Sequence, residues 1–138
     1  LYIGISSMSG YTIQADMLGS MKGRKRPDMG LINAGYILDL QGGHRRLEIR
    51  AGEERRLQET IDFPVEPEVW YTMLMRVEVV SGKAHVRGKV WKTGMPEPET
   101  WTIEVDDPLP IKQGSPGLYG YSAADIFYDN VRVMVNPK

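Results

Sequence analysis

The sequence of 138 residues contains no cysteine, only two phenylalanines and almost no net charge. Without cysteine the chain can form no disulfide and has no thiolate for zinc, iron–sulfur or nucleophilic chemistry. Its 17 Lys and Arg residues balance 18 Asp and Glu residues, so it lacks the basic excess typical of a nucleic-acid binder. No apolar run approaches the roughly 20 residues of a membrane helix. We therefore expect no nucleic-acid partner and no membrane-spanning segment.

Turn-forming residues, by contrast, are frequent and evenly spaced. The chain has 15 glycines and 9 prolines, and turn signals such as Gly42-Gly43, Ser81-Gly82 and Gly94–Pro98 recur about every 8 to 12 residues. Between them apolar and polar residues alternate, as in 11–17 and 46–51. Such alternation is typical of antiparallel sheets with one face in contact with solvent. The pattern predicts an all-β fold, an antiparallel β-sandwich of jelly-roll type with about nine to eleven strands.

One stretch, residues 51–61, is compatible with two structures. Leu57 and Ile61 are four residues apart, which fits one face of a helix. Leu57, Glu59, Ile61 and Phe63 also alternate as they would in a strand that follows a turn at Gly52. A single helical pair is weak evidence, and we favour the strand.

The motifs of common enzymes are missing. There is no G-x-S-x-G sequence, no phosphate-binding loop and no dinucleotide fingerprint. The two histidines, His44 and His85, are not spaced with a serine and an aspartate in a way that suggests a triad. Neighbouring acids such as Glu97/Glu99 and Asp106-Asp107 lie beside turns, where solvated charge is the ordinary explanation. The sequence therefore favours binding over catalysis.

Three segments resemble a known family. Trp70–Val77 is similar to a W-Y-x-h-x-h-x-V strand, where h is apolar; Gly114–Tyr119 is similar to a G-x-x-G-h strand; and Phe127–Val133 is similar to an F-D-N-h-x-V closing strand. Together they resemble concanavalin A-like lectin/glucanase (laminin-G-like) sandwiches. The glucanase branch carries a Glu-x-Asp-x-Glu motif, which this sequence lacks.

The order of three further segments resembles a bacterial subgroup. Pro27–Leu31, Val86–Trp91 and Pro98–Trp101 are similar to modules that accompany pyrroloquinoline-quinone-type β-propellers in exported proteins. The resemblance implies a single domain over residues 1–138 of a longer protein, with the first strand upstream of Leu1. It also implies an extracytoplasmic location, in the periplasm or at the cell surface, and a glycan or a neighbouring β-propeller as partner. A non-catalytic carbohydrate-binding or interaction module is the leading hypothesis. The alternatives are a glycoside-cleaving hydrolase of the 3-keto-glycoside or glucanase type, and a structural module that packs on the propeller.

Five residues are candidates for glycan contact. Sugars bind through aromatic rings stacked on their C–H faces and through polar groups that fix their orientation. Trp91, His85 and Arg87 fall on the polar side of one predicted strand, and Tyr119 and Tyr121 share one side of another. The alternative is that Trp91 covers a sheet edge and both tyrosines are half-buried packing residues.

Asp129 is the candidate metal ligand. Alternation places it on the same side as Val131, Val133 and Val135, facing inward, where a lone carboxylate is costly unless it is hydrogen-bonded or bound to a cation. In calcium-binding relatives of the resembled fold, an Asp that opens the closing strand supplies a calcium oxygen, with other oxygens completing the shell. We expect either a structural calcium ion here or a position at the sheet edge where Asp129 accepts hydrogen bonds from backbone N–H groups.

Overall fold

The computed structural model describes residues 1–52 and 57–137, and these residues form ten β-strands and no helix. The strands are β1 (Tyr11–Gly19), β2 (Asp28–Asn33), β3 (Tyr36–Gln41), β4 (Arg46–Ala51), β5 (Gln58–Asp62), β6 (Trp70–Val80), β7 (Lys83–Lys92), β8 (Ile103–Asp107), β9 (Gly117–Tyr121) and β10 (Ile126–Val135). The all-β prediction and the expected number of strands are confirmed. The ambiguous stretch contains β5, a strand as favoured, while residues 53–56 of that stretch lie outside the described residues.

The strands form two antiparallel sheets of five. The first sheet has the order β10-β1-β6-β7-β8, and the second has the order β5-β4-β3-β2-β9. Successive strands pair as antiparallel neighbours from β2 to β5 and from β6 to β8. Short turns join β2 to β3, β3 to β4 and β6 to β7, as in β-hairpins. β1, β9 and β10 join strands that are distant in the sequence. The predicted β-sandwich is confirmed.

The core lies between the two sheets. Each strand contributes every second side chain to it, as the alternation predicts. The second sheet contributes Leu31, Leu38, Leu40, Leu47 and Ile49, and the first sheet contributes Ile13, Met17, Met73, Met75 and Val86, all of them fully buried. Because each inward side chain alternates with an outward one, the register of this core also determines which residues lie on the two outer faces.

Two buried tyrosines hold the connection that leads from β8 to β9. The Tyr36 hydroxyl donates to Asp107 Oδ2 at 2.5 Å and accepts from the Ile111 N–H at 2.9 Å. The Tyr11 hydroxyl donates to the Gly114 carbonyl at 2.7 Å. Buried hydroxyls need such partners. These bonds fix the connection that crosses from the first sheet to the second, and so they position β9 at the edge of the second sheet.

The first residues of the chain pair with that edge. The Leu118 N–H donates to the Leu1 carbonyl at 2.8 Å, and Tyr2 forms an isolated antiparallel bridge with Gly117. This pairing brings the Tyr2 side chain to the outer face of the second sheet, next to Tyr119.

Candidate functional site

The outer face of the second sheet carries most of the candidate chemistry, and we call it the polar face. The pairing register arranges its residues in three rows across the strands. The first row is Asp62, Arg46, Gln41, Asp28 and Tyr121; the second is Thr60, Glu48, Asp39, Gly30 and Tyr119; the third is Gln58, Arg50, Ile37, Ile32 and Gly117. Neighbours within a row are cross-strand pairs in side-chain contact range.

Charged side chains in the middle of the polar face are buried, which is unusual for the outer face of a sheet. Asp39, Glu48 and Arg50 expose only 1%, 0% and 5% of their surface. Arg50 Nη1 lies 2.6 Å from Asp39 Oδ2 and 3.1 Å from Glu48 Oε1. Gln58 donates to Glu48 Oε2 at 2.6 Å, and Gln41 donates to Asp39 Oδ2 at 3.1 Å. The five side chains form a connected network that fixes each of their positions.

Tyr119 lies above this network. The Arg50 guanidinium carbon is 5.0 Å from the centre of the Tyr119 ring, within cation–π distance. Burial lowers the pKa of Arg50, but the hydrogen bonds and charges of Asp39 and Glu48 more than offset this and raise it above its ordinary value. The guanidinium therefore stays charged and holds both carboxylates and the tyrosine ring in place.

One carboxylate oxygen in the network has spare hydrogen-bonding capacity. Asp39 Oδ1 is buried and has no hydrogen-bond partner among the described residues, although Oδ2 of the same group accepts from Arg50 and Gln41. Burial raises the pKa of Asp39, and the hydrogen bond from Arg50 opposes that rise. A buried acceptor without a donor is costly.

Asp39 borders a hollow of about 320 Å³ on the polar face, which we call the first hollow. The side chains around it are mostly polar, with one tyrosine ring at its side and another at its rim. They belong to Asp28, Asp39, Gln41, His44, Arg46, Tyr119 and Tyr121. Arg46 donates to Gln41, which links two of the polar side chains around the hollow. A rigid polar floor beside aromatic rings is a typical arrangement for a small polar ligand.

Asp28 has a perturbed acidity in this hollow. Burial raises its pKa to about 6, and the nearby charge of Asp39 adds to the rise, while His44, Arg50 and Arg46 oppose it. A carboxyl group that titrates near neutral pH inside a hollow marks a candidate functional group.

The raised pKa of Asp28 predicts a pH-dependent stability. Between about pH 4 and 6 the folded state keeps the proton that the unfolded state releases, so the free energy of unfolding falls as pH rises through this window. In Asp28→Asn this contribution is absent. We therefore expect the difference in unfolding free energy, variant minus wild type, to increase from pH 4 to 6.5 and then level off, as measured by urea denaturation. Asp125→Asn, a change at an exposed position, is the control, and equal curves for both variants would contradict the prediction.

The residues that the sequence analysis selected for glycan contact lie on two separate faces. Tyr119 and Tyr121 border the first hollow. Trp91, His85 and Arg87 lie on β7, in the first sheet. Alternation predicts on which side of its own strand a residue lies, but not which sheet that strand joins, so the five cannot form one ligand surface.

The three β7 residues lie beside partners from β6, β8 and the loop before β8. His85 Nδ1 is 2.6 Å from Asp106 Oδ1. The Arg87 guanidinium lies 5.9 Å from the Trp101 ring centre, and Arg87 Nε is 3.9 Å from Glu104. Trp91 is half-buried opposite Thr72. These are ordinary cross-strand contacts of an outer sheet face.

The prediction that Asp129 faces inward is wrong. The pairing of β1 with β10 shifts between Gln14 and Asp16, and Asn130 has a φ of 52°. This irregularity reverses the alternation, as β-bulges do. Val133 still packs against the core, but Asp129 lies exposed opposite Asp16, and its Oδ1 accepts from the Asn130 N–H at 2.8 Å.

The surroundings of Asp129 do not assemble a cation site from acidic groups. The neighbouring Asp16 accepts from Thr72 at 2.6 Å and from the Asn130 amide at 2.8 Å. Within residues 1–52 and 57–137 no group of three or more His, Asp or Glu side chains is placed to hold a metal ion. Calcium binding at Asp129 remains a prediction from the resemblance alone.

Tyr119 and Tyr121 were predicted from the sequence, but the other residues that build the first hollow and its floor were not. Asp28, Asp39 and Arg50 were placed on polar strand faces or in loops, with no function assigned. A usable signal was present in the β3–β4 hairpin around Gly42-Gly43, because the polar side of β4 carries basic, acidic and basic residues in turn and faces an acidic residue of β3. Such a pattern predicts cross-strand ion pairs on one face.

The two stacked antiparallel sheets of five strands define the fold class as an antiparallel β-sandwich. No known family profile matches the sequence, and no curated protein matches it. In the part of the chain that the structure describes, no helix is long and apolar enough to cross a membrane.

Solved structures share the fold. The carbohydrate-binding module CBM66 from Bacillus subtilis has a TM-score of 0.66 at 15% identity, over 94% of this chain and 77% of that one. Sheep galectin-11 has a TM-score of 0.62 at 10% identity, over 97% and 96% of the two chains. A human galectin-16 variant has a TM-score of 0.61 at 13% identity, over 99% and 95%. At these identities the likeness shows a shared β-sandwich, consistent with the resemblance to concanavalin A-like folds.

Proposed function

We propose that this chain is a non-catalytic carbohydrate-binding module that holds its glycan in the first hollow of the polar face. The observation that carries the proposal is a hollow lined by two tyrosines and by Asp39, a buried carboxylate whose Oδ1 has no hydrogen-bond partner among the described residues. The fold shared with a carbohydrate-binding module and with galectins supports it.

The residues of the hollow match the chemistry of a sugar ring. Hydroxyl groups of the sugar donate to Asp39 Oδ1 and to Asp28, while Arg46 and His44 offer donors from the opposite side. Tyr119 and Tyr121 present ring faces to the apolar C–H face of the sugar. Because the Arg50 network holds Asp39 and Tyr119 in place before the ligand arrives, little conformational entropy is lost on binding.

For the larger protein that contains the module, we keep the expectation that the sequence resemblance implies. We place it in an exported bacterial protein, where a β-propeller is the neighbouring domain. A calcium ion at Asp129 is the remaining expectation, and binding measured with calcium and with a chelator tests it.

Glycoside cleavage is the second candidate function, since two carboxyl groups border one hollow. Asp39 stays paired with Arg50, whereas the pKa of Asp28 is raised to about 6, mainly by burial and then by the charge of Asp39. One ionised and one protonated carboxyl is the pairing that glycosidases use. Release of reducing ends from bound glycans, absent in Asp28→Asn, would support cleavage; binding with no product supports the module.

A comparison of two aromatic substitutions tests which sheet binds the glycan. Binding is screened on an array of neutral and acidic glycans and quantified by calorimetry. Tyr121→Ala should weaken binding about 10-fold, because an aromatic contact contributes about 1 kcal/mol or more. Trp91→Ala, on the other sheet, should change the affinity less than about 2-fold.

The opposite result would move the glycan to the first sheet. If Trp91→Ala weakened binding and Tyr121→Ala did not, the surface with Trp91, His85 and Arg87 would be the binding site. A well-folded protein that binds no glycan at all would exclude the proposal and leave a structural module as the better account.

A further inference from the structure

A second hollow, of about 410 Å³, lies on the polar face next to the first. Its walls include Tyr2, Ile32, Ile37, Arg50 and Tyr119. Ile32 and Ile37 point outward from β2 and β3 in the third row, so the wall that they form is apolar, unlike that of the first hollow.

The two hollows follow one another along the direction of the strands. The first lies over the first and second rows, and the second lies over the third row. Adjacent rows are two residues apart along each strand, which is about 7 Å. Tyr119 borders both hollows. Between Tyr119 and Asp39 the second row carries only Gly30, and the Arg50 guanidinium reaches from the third row to both of these neighbours.

Gly30 cannot be replaced without moving the sheet. A Cβ atom at this position would lie 1.8 Å from the backbone oxygen of Leu38 on the adjacent strand. The missing side chain is therefore a fixed feature of the polar face, and Tyr119 is the residue that borders both hollows at this point.

Arg50 does not make the second hollow an anion site. Its guanidinium already pairs with Asp39 and Glu48 and lies under the Tyr119 ring. Both carboxylates balance its charge, so the second hollow offers a ligand apolar and aromatic side chains beside polar groups, with no free cation among the described residues that line it.

We propose that the two hollows are successive subsites of one groove, and that the ligand is a neutral linear oligosaccharide of at least two sugar units. One unit occupies the first hollow and hydrogen-bonds to Asp39 and Asp28. The next unit occupies the second hollow and packs its C–H face against Tyr2, Ile32 and Ile37. This inference rests on the proposed function and adds the length and charge of the ligand.

A series of ligand lengths tests the inference. Oligosaccharides of glucose, galactose, mannose, fructose and N-acetylglucosamine, each from one to six units, are titrated into the ¹⁵N-labelled protein at pH 7 and followed by NMR, which measures millimolar as well as tighter binding. For the sugar that binds, two units should bind about 10-fold more tightly than one unit, since a buried ring contact that adds about 1.4 kcal/mol changes the affinity tenfold.

Tyr2→Ala removes one wall of the second hollow without touching the first. Tyr2 is 69% exposed and bridges Gly117 through its backbone, so the fold should tolerate the change. The variant should keep the wild-type affinity for one unit. Its affinity for two units should exceed that for one unit by only about 3-fold or less. Phe127→Ala, at a 49% exposed aromatic on the first sheet, is the matched control and should keep the full gain. Ile37→Trp fills the second hollow and should have the same effect as Tyr2→Ala.

Each outcome is distinguishable. If no sugar of any length binds, the proposed function itself fails. If one unit binds at the first hollow and a second unit adds nothing, the proposed function stands and the two-subsite groove is wrong. If an octyl glycoside gains as much affinity as the disaccharide, the second hollow accepts an apolar group rather than a sugar, and the inference is also wrong.

Discussion

Replacing Arg50 by methionine is expected to lower the free energy of unfolding by about 3–5 kcal/mol. The methionine side chain fills similar space but leaves the Asp39 and Glu48 carboxylates buried without a cation. Removing one partner of a buried ion pair is far more costly than removing the pair, because the remaining charge loses both water and its counter-ion. Urea denaturation at pH 7 measures the loss.

Arg87→Met is the matched control on the first sheet. Arg87 also faces an aromatic ring and an acidic residue, Trp101 and Glu104, but it is only partly buried. Exposed ion pairs contribute about 0–1 kcal/mol, so this variant should lose less than about 1 kcal/mol. Similar losses in both variants would show that the Arg50 network is solvated and does not form a buried floor.

A triple variant separates the stability of the network from its function. Asp39→Leu, Glu48→Met and Arg50→Met together replace the ion pairs with apolar side chains of similar size. Such replacements are often neutral or stabilising. We expect this protein to fold with nearly wild-type stability and to bind no glycan, which would show that the buried charges serve the site rather than the fold.

The fold was predictable because its signals are local. Alternation identified the inward residues of the central strands, such as Ile13, Leu38 and Ile49, and turn residues marked where the strands end. The exception, Asp129, shows the limit of this reasoning. A single extra residue at the bulge near Asn130 reverses the alternation, and no residue type in the segment indicates it in advance.

The site was harder to predict because it depends on contacts between distant segments. Tyr119 reaches the β3–β4 hairpin only because β9 joins the second sheet beside β2. Asp39 and Arg50 have the sequence pattern of solvent-facing residues, and their burial follows from Tyr119 and the neighbouring rows lying over them. Alternation in the sequence predicts on which side of its strand a residue lies. Predicting a binding site also requires the order of the strands in the sheet, because the site combines residues from several strands.

Asp39→Asn should weaken glycan binding by about 2–3 kcal/mol, or about 30- to 150-fold, measured by calorimetry at pH 7. The asparagine keeps the shape of the side chain but lacks the negative charge that strengthens a hydrogen bond from a sugar hydroxyl. Oδ1 is the atom concerned, because Oδ2 is already occupied by Arg50 and Gln41.

Stability and binding must be separated in this experiment, since Asp39→Asn also weakens the pairing of Arg50. The thermal midpoint of the variant is measured first, and binding is compared well below it. Asp125→Asn makes the same chemical change at an exposed position and should leave the affinity unaltered. If Asp39→Asn binds as tightly as the wild type while folded, the ligand does not contact Oδ1. The first hollow would then not be the primary site, however well the fold matches that of carbohydrate-binding modules.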